Sequence, residues 1–421
     1  MDKLQIKKYV NLVCINSYKA SKFARTLSNN HRNMVLSTII SGLKDNKTQI
    51  FKKNALDIVS AKNNKMSDAL VDRLLINNKR ISSMVDGLRR IKSIPDTLFK
   101  TSNKIKQPSG ITVEQMRVPL GVIGMIYESR PNVTIDSAGL SIKSGNCIIL
   151  RGGSEAINSN LILSKIIMDS LKKCNLPKDM VQLIKTTDRA AVSELLSQDQ
   201  YIDVIIPRGG KSLIKKISNE SKIPVIKHLD GNCHVYIDVD AEFKTAMDCT
   251  INSKTQRYGV CNAAESLIVH KKFPKSQTIK ILNALSDQGV EIRGCKATKS
   301  IFKKAVLANE ADWYEEYLKP IISVKIVDNI NEAINHIEKY GSKHTDSIIT
   351  KNKLSQRKFL REVDSSSVMI NTSTRFADGF EYGMGAEIGI STDKIHARGP
   401  VGLDGLTNLK FVVTSKGVIR N

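Results

Sequence analysis

From residue 118 onward, short β-branched runs alternate with helix-like stretches, and that rhythm restricts the chain to a small set of folds. Residues 121–127 (Gly-Val-Ile-Gly-Met-Ile-Tyr), 146–150, 181–184 and 202–206 read as strands. Residues 133–143, 154–174 and a segment around 188–197 read as helices between them, the first stopped by Gly145. Such alternation predicts right-handed βαβ units and a parallel, doubly wound sheet over 118–230. After Asp230-Gly231 a second series begins, with strands near 234–238, 266–270, 322–327, 346–350 and 366–370, and it predicts a second α/β domain. Residues 1–95 read as helices: Phe51, Ala55, Ile58 and Val59 share one face, Ile81, Val85, Leu88 and Ile91 another, and Ser67-Asp68 starts a helix. The segment 108–120 is a turn plus an alternating strand outside the βαβ rhythm, an arm. The Gly-rich, polar tail from 375 ends in a short strand at 409–413, of the kind that docks on another sheet.

At 421 residues the chain exceeds the size at which single cores split. Its 41% hydrophobic and 25% charged content is that of an ordinary soluble protein. No apolar run approaches a bilayer span, and the start has no signal-peptide core, so a cytoplasmic location is expected. The seven cysteines are scattered, with no CxxC pair and no Cys/His group at zinc spacing; neither a disulfide framework nor a metal site is expected. A net charge of +24 raises nucleic-acid binding as a function. The lysines are spread along the chain and only 5% of residues are aromatic, so no specific nucleic-acid partner is expected. The field still concentrates anionic substrates.

Cys261 is the cysteine placed for chemistry. It lies in a polar, Gly-containing loop, Lys254-Thr255-Gln256-Arg257-Tyr258-Gly259-Val260-Cys261-Asn262, with two cations just upstream. Nearby cations stabilise a thiolate, the nucleophilic form. The other reading is a buried loop cysteine. Two strand ends carry paired glycines, Arg151-Gly152-Gly153-Ser154 and Arg208-Gly209-Gly210-Lys211. Backbone amides there can approach phosphate oxygens, and each Arg can hold a phosphate, which favours a dinucleotide; a tight βα turn would also use these glycines. Arg151 near a ribose would suit a 2′-phosphate and hence NADP. Asn132, after Glu128-Ser129-Arg130-Pro131, is an oxyanion donor or a helix-cap residue. His228 is a base or a polar hinge residue.

Several strings together resemble the γ-glutamyl phosphate reductase (glutamate-5-semialdehyde dehydrogenase) branch of the aldehyde dehydrogenase superfamily. They are Tyr127-Glu128-Ser129-Arg130-Pro131-Asn132-Val133-Thr134, Leu150-Arg151-Gly152-Gly153-Ser154-Glu155-Ala156, His228-Leu229-Asp230-Gly231, Lys254-Thr255-Gln256-Arg257 with Val260-Cys261-Asn262, Tyr340-Gly341-Ser342-Lys343-His344-Thr345-Asp346, Ser373-Thr374-Arg375-Phe376-Ala377-Asp378-Gly379 and Gly385-Ala386-Glu387-Ile388-Gly389-Ile390-Ser391-Thr392. The match runs from about 110 to the C-terminus. It implies an aldehyde dehydrogenase-like α/β fold: N-terminal helices and an NADP(H)-binding domain over 1–230, including an oligomerisation arm at about 108–118; a catalytic domain over 231–370; and a return segment with an oligomerisation strand over 371–421.

The resemblance also implies roles. Cys261 matches the nucleophile and Asn132 the oxyanion-holding amide. Arg151 falls beside the adenosine ribose and Glu316 at the nicotinamide ribose; the glycine-turn reading given above adds Gly209 and Gly210 at the cofactor. Arg257, Arg375 and Arg398 are candidates to hold the substrate's carboxylate and phosphate. Position 258 is Tyr where many relatives have Pro. Hydrolytic relatives carry a water-activating Glu where His228 stands here, and its loss suits a thioester that must escape water. The implied reaction is NADPH-dependent reduction of L-glutamyl 5-phosphate without a metal, in a homo-oligomer, with a glutamate 5-kinase as a possible partner. An oxidative aldehyde dehydrogenase and an inactive scaffold are the rival readings.

Overall fold

The strand–helix rhythm folds into two parallel sheets, one in each of two units. A computed structural model describes residues 1–420. The first unit comprises 1–227, 383–389 and 401–421, and the second 228–382 and 390–400. Residues 371–421 pass through both units, 371–382 and 390–400 in the second and the remainder in the first.

In the first unit five helices come first: Lys3–Ala24, Asn29–Asp45, Lys47–Asn63, Asp68–Leu74 and Asn78–Ser93. Side-chain caps from Asp2, Ser28 and Asn77 start three of them, satisfying amides that have no partner inside the helix. In the fifth, Ile81, Met84, Val85, Leu88 and Ile91 form the buried stripe. The third differs from expectation. Phe51 and Ile58 are only half-buried and Ala55 and Val59 are exposed; the buried face is Ile50, Asn54, Asp57 and Ala61. Two polar residues go inside because each is fully bonded. The Asp57 carboxylate accepts the Asn158 and Ser159 backbone N–H groups, at 3.2 and 2.8 Å, and so caps the helix Ile157–Lys173. Asn54 donates to the Leu74 carbonyl and accepts from the Ile76 N–H.

Strands β1 (Thr101–Lys106) and β2 (Thr112–Pro119) form an antiparallel sheet with the C-terminal strand Thr407–Thr414, β2 in the centre. Then come β3 (Val122–Tyr127), β4 (Cys147–Gly152), β5 (Val181–Leu183) and β6 (Val204–Arg208), all parallel, in the order β5-β4-β3-β6. The chain starts at β3, builds outward to β5, and returns to the other side of β3. The C-terminal ends of β3 and β6 therefore flank the switch point, where open sheets bind ligands. Gly145, at φ +72°, ends the helix Asn132–Lys143 in the left-handed region that favours glycine.

The second unit holds a seven-stranded, all-parallel sheet of β7 (Cys233–Ile237), β8 (Ala264–His270), β9 (Glu291–Gly294), β10 (Val306–Leu307), β11 (Ile321–Val327), β12 (Thr345–Ile349) and β13 (Ser367–Ile370). Its order is β10-β9-β11-β8-β7-β12-β13. Alternate residues serve opposite faces: Val235, Ile237, Leu267 and Val269 pack into one apolar cluster, Tyr236, Ile268 and Ile348 into another. Burial on both faces explains why these strands read as continuous apolar runs. Among the described residues no helix is long and apolar enough to cross a membrane.

Candidate active site

The Cys261 loop joins the helix Phe243–Thr255 to β8, near the middle of the second sheet. Cys261 is half-buried, whereas Cys14, Cys147, Cys174 and Cys233 are buried. Burial pushes the Cys14 thiol up to about 12 and drives Cys147 and Cys233 up as well, so these stay protonated. Cys233 donates through Sγ to the Cys261 carbonyl at 3.1 Å. The loop is braced from a segment far along the chain: Asn262 Nδ2 donates to the Ala377 carbonyl at 3.0 Å, and Thr374 Oγ1 donates to the Asn262 carbonyl at 2.7 Å.

Of the two upstream cations, Lys254 is not available to a thiolate. It is fully buried and paired with Glu265 at 2.5 Å. Burial pushes Lys254 down and Glu265 up to about 7, each opposed by its partner. Arg257 is exposed. Arg375, already a candidate from the sequence, donates through Nε to Gln256 Oε1 at 2.8 Å, and Cys261 is among the groups whose charge acts on it. Burial and Arg257 push the Arg375 guanidinium down, which favours an anion beside the pair.

Two histidines share this corner. One ring nitrogen each of His228 and His344 and the Cys261 sulfur lie within 4.8 Å of one another. The His228 and His344 rings meet edge-on at 5.6 Å, and His228 Nδ1 is 3.1 Å from the Ile390 carbonyl. Glu316 Oε1 accepts the Gly231 N–H at 2.9 Å, in the turn that carries His228. Tyr258 leans on the apolar cluster under the sheet, its hydroxyl 3.5 Å from the Gln288 carbonyl. Arg398 is engaged elsewhere: its guanidinium donates to the Asp364 carboxylate at 2.8 Å and to the Asp364 carbonyl at 2.9 Å. With Lys394 it holds that carboxyl down to about 2.

In the first unit, the paired glycines lie at the ends of β4 and β6. The Gly210 N–H, at the start of the helix Lys211–Glu220, donates to Glu128 Oε2 at 2.9 Å. A Cβ at Gly209 would lie 2.5 Å from that carboxylate oxygen, and one at Gly153 would lie 2.1 Å from Glu155 Oε1. The amide suited to a phosphate oxygen thus already holds an anionic oxygen, and the glycines leave room for it. In this arrangement a carboxylate, Glu128 or Glu155, lies at each glycine turn. Arg151 is buried, and its guanidinium donates to the carbonyls of Gly152 at 2.8 Å and Thr187 at 3.0 Å. Burial, with Arg189 close by, pushes it down. Arg189 is exposed and sits at the N-cap position of the helix Ala190–Leu196, after the loop that leaves β5; a cation in that loop is a signal that reading the glycine turns alone passed over.

Asn132 begins the helix Asn132–Lys143 and is exposed. Its Nδ2 donates to Asp136 Oδ2 at 2.9 Å, one turn on. Burial raises the Asp136 carboxyl to about 6, against the pull of Asn132 and Arg208. The amide is therefore held by a carboxylate rather than spent on a helix cap.

The Aldehyde dehydrogenase family pattern matches residues 7–300. A γ-glutamyl phosphate reductase from Thermotoga maritima is 41% identical, covering 98% of this chain and 100% of its own, with a TM-score of 0.96. Its counterpart from Saccharomyces cerevisiae is 34% identical over 100% of this chain and 99% of its own, with a TM-score of 0.54. An engineered glycolyl-CoA reductase with bound NADP+ is 14% identical over 96% of each chain, with a TM-score of 0.69, and shows the shared fold alone. The chain belongs to the aldehyde dehydrogenase family and, within it, to the γ-glutamyl phosphate reductases.

Proposed function

We infer that the chain catalyses the NADPH-dependent reduction of L-glutamyl 5-phosphate to L-glutamate 5-semialdehyde and phosphate, the second step of proline formation from glutamate. The observation that carries this is the 41% identity to a γ-glutamyl phosphate reductase across 98% of the chain.

Cys261 is the nucleophile in this reading. Its thiolate attacks the γ-carbonyl carbon, and phosphate, a good leaving group, departs to leave a thioester. With His228 Nδ1 facing the Ile390 carbonyl, the other ring nitrogen is free to take the thiol proton. The Asn132 amide and the Cys261 backbone N–H hold the oxyanion, and Asp136 keeps the amide in place. Arg257 and Arg375 hold the substrate's anionic groups. Arg398, tied to Asp364, is the weakest of the three candidates. Reduced nicotinamide, when bound, supplies the hydride that takes the thioester to the aldehyde level. Gly209, Gly210, Arg151 and Glu316 are the residues that would hold it. Arg151 and Arg189 favour a 2′-phosphate, and so NADPH over NADH.

The reading carries the sequence-based division into a cofactor domain (1–230), a catalytic domain (231–370) and a C-terminal return segment (371–421). It also places the enzyme in the cytoplasm as a homo-oligomer built through the β1-β2 sheet, fed by a glutamate 5-kinase. The test is NADP+ reduction with glutamate semialdehyde plus phosphate, beside an NAD+ control. Strict dependence on phosphate or arsenate supports the reading. Equal rates without either would mark an ordinary oxidative aldehyde dehydrogenase.

A further inference from the structure

His228, Cys261 and His344 come from the turn before β7, the loop before β8 and the turn before β12, all within the second unit. We propose that these three side chains form a binding site for a soft divalent cation of the zinc class, and that its occupancy silences the Cys261 nucleophile.

The donor set is one sulfur and two imidazole nitrogens, with no carboxylate among the three. Thiolate and imidazole select zinc-like ions over magnesium or calcium, which take oxygen. Zinc binds sulfur at about 2.3 Å and imidazole nitrogen at about 2.0–2.1 Å, so tetrahedral ligands sit roughly 3.3–3.8 Å apart. The three donor atoms lie within 4.8 Å of one another, so inward movements of about 1 Å suffice. His228 and Cys261 are half-buried, so these movements fall on the two least enclosed of the three side chains. The His228 Nδ1 contact with the Ile390 carbonyl is the outer support that a metal-binding imidazole uses, and it leaves Nε2 for the ion. His344 Nδ1 lies 2.9 Å from Thr345 Oγ1, which steadies that ring in the same way. Three protein ligands leave a fourth position for water. A bound ion takes the sulfur lone pair that would attack the substrate, so occupancy competes directly with catalysis.

The inhibitory consequence rests on the catalytic reading of Cys261; the site itself does not. The test titrates metal-free enzyme with Co2+ as a spectroscopic stand-in for Zn2+. We expect one ion per chain, with tetrahedral visible bands and a sulfur-to-cobalt charge-transfer band. Cys261→Ser should remove the charge-transfer band, and His228→Ala and His344→Ala should each weaken binding by more than about tenfold. Circular dichroism of each variant separates ligand loss from misfolding. In parallel, Zn2+ should block turnover, with full recovery on adding a chelator. No stoichiometric binding, or binding unchanged in both histidine variants, overturns the site. Cobalt bound as described while zinc leaves turnover untouched upholds the site and overturns Cys261 as the nucleophile.

Discussion

A Cβ on residue 231 would sit 1.9 Å from the carbonyl oxygen of Cys261, so only glycine lets the turn that bears His228 lie against the nucleophile loop. The obstacle is backbone, which cannot swing aside as a side-chain tip can. Gly231→Ala is expected to push the loop outward by about 1 Å and cut kcat/KM by about a hundredfold. Steady-state assays with thermal melts check this. Activity within threefold of the parent would mean the contact does not position Cys261.

Cys261→Ala should abolish turnover while leaving the fold and dinucleotide affinity near those of the parent. Fluorescence titration with NADPH and circular dichroism read the two separately. Substantial residual activity would remove Cys261 from the mechanism.

The buried Lys254–Glu265 pair predicts a large stability effect. Lys254→Met leaves the Glu265 carboxyl in the interior without its cation and is expected to cost about 3–5 kcal/mol in urea unfolding. The double variant Lys254→Met, Glu265→Leu should recover most of that loss, because no charge is left unpaired. A double variant as unstable as the single one would contradict this account.

His336 sets an acid limit. Burial, with His234, Lys325 and Lys339 facing it, holds its imidazole down to about 2, against an ordinary value of 6.5. Below pH 6.5 the unfolded chain takes up a proton that the folded chain refuses. Stability therefore falls as pH drops from 6.5, by up to about 1.4 kcal/mol per pH unit from this group. Urea midpoints at pH 7.5, 6 and 5 should decline, and His336→Gln should flatten the slope. A slope unchanged by the substitution would assign the acid sensitivity to other groups.

Leu409, Phe411 and Val413 stand on one face of the C-terminal strand, and Phe411 is 70% exposed. An apolar row of this kind suits a subunit contact. The proposed homo-oligomer should appear in light scattering after size exclusion of the parent, and Phe411→Asp should give the monomer mass with the secondary structure intact. An unchanged mass would exclude this face.

Local pattern made much of the fold legible. Strand runs such as 122–127 and 264–270 are buried on both faces, so they stand out as unbroken apolar stretches. Short or exposed strands, Thr101–Lys106, Glu291–Gly294 and Val306–Leu307, carry no such mark. The third helix misled because its buried face includes Asn54 and Asp57, whose partners lie elsewhere in the chain. Lys254 reads as a cation beside Cys261 until Glu265 is seen to neutralise it.

By itself, the sequence determined the strands that are buried on both faces and the helices between them, and that Cys261 lies in a polar loop ahead of a strand, because periodicity and loop composition are local. Only the tertiary structure decided that His228, Cys261 and His344 meet, that Lys254 is spent on Glu265, and that Gly231 abuts the Cys261 carbonyl. Those partners are set by strand order in a parallel sheet, where neighbours in space are joined by long crossovers and spacing along the chain carries no distance.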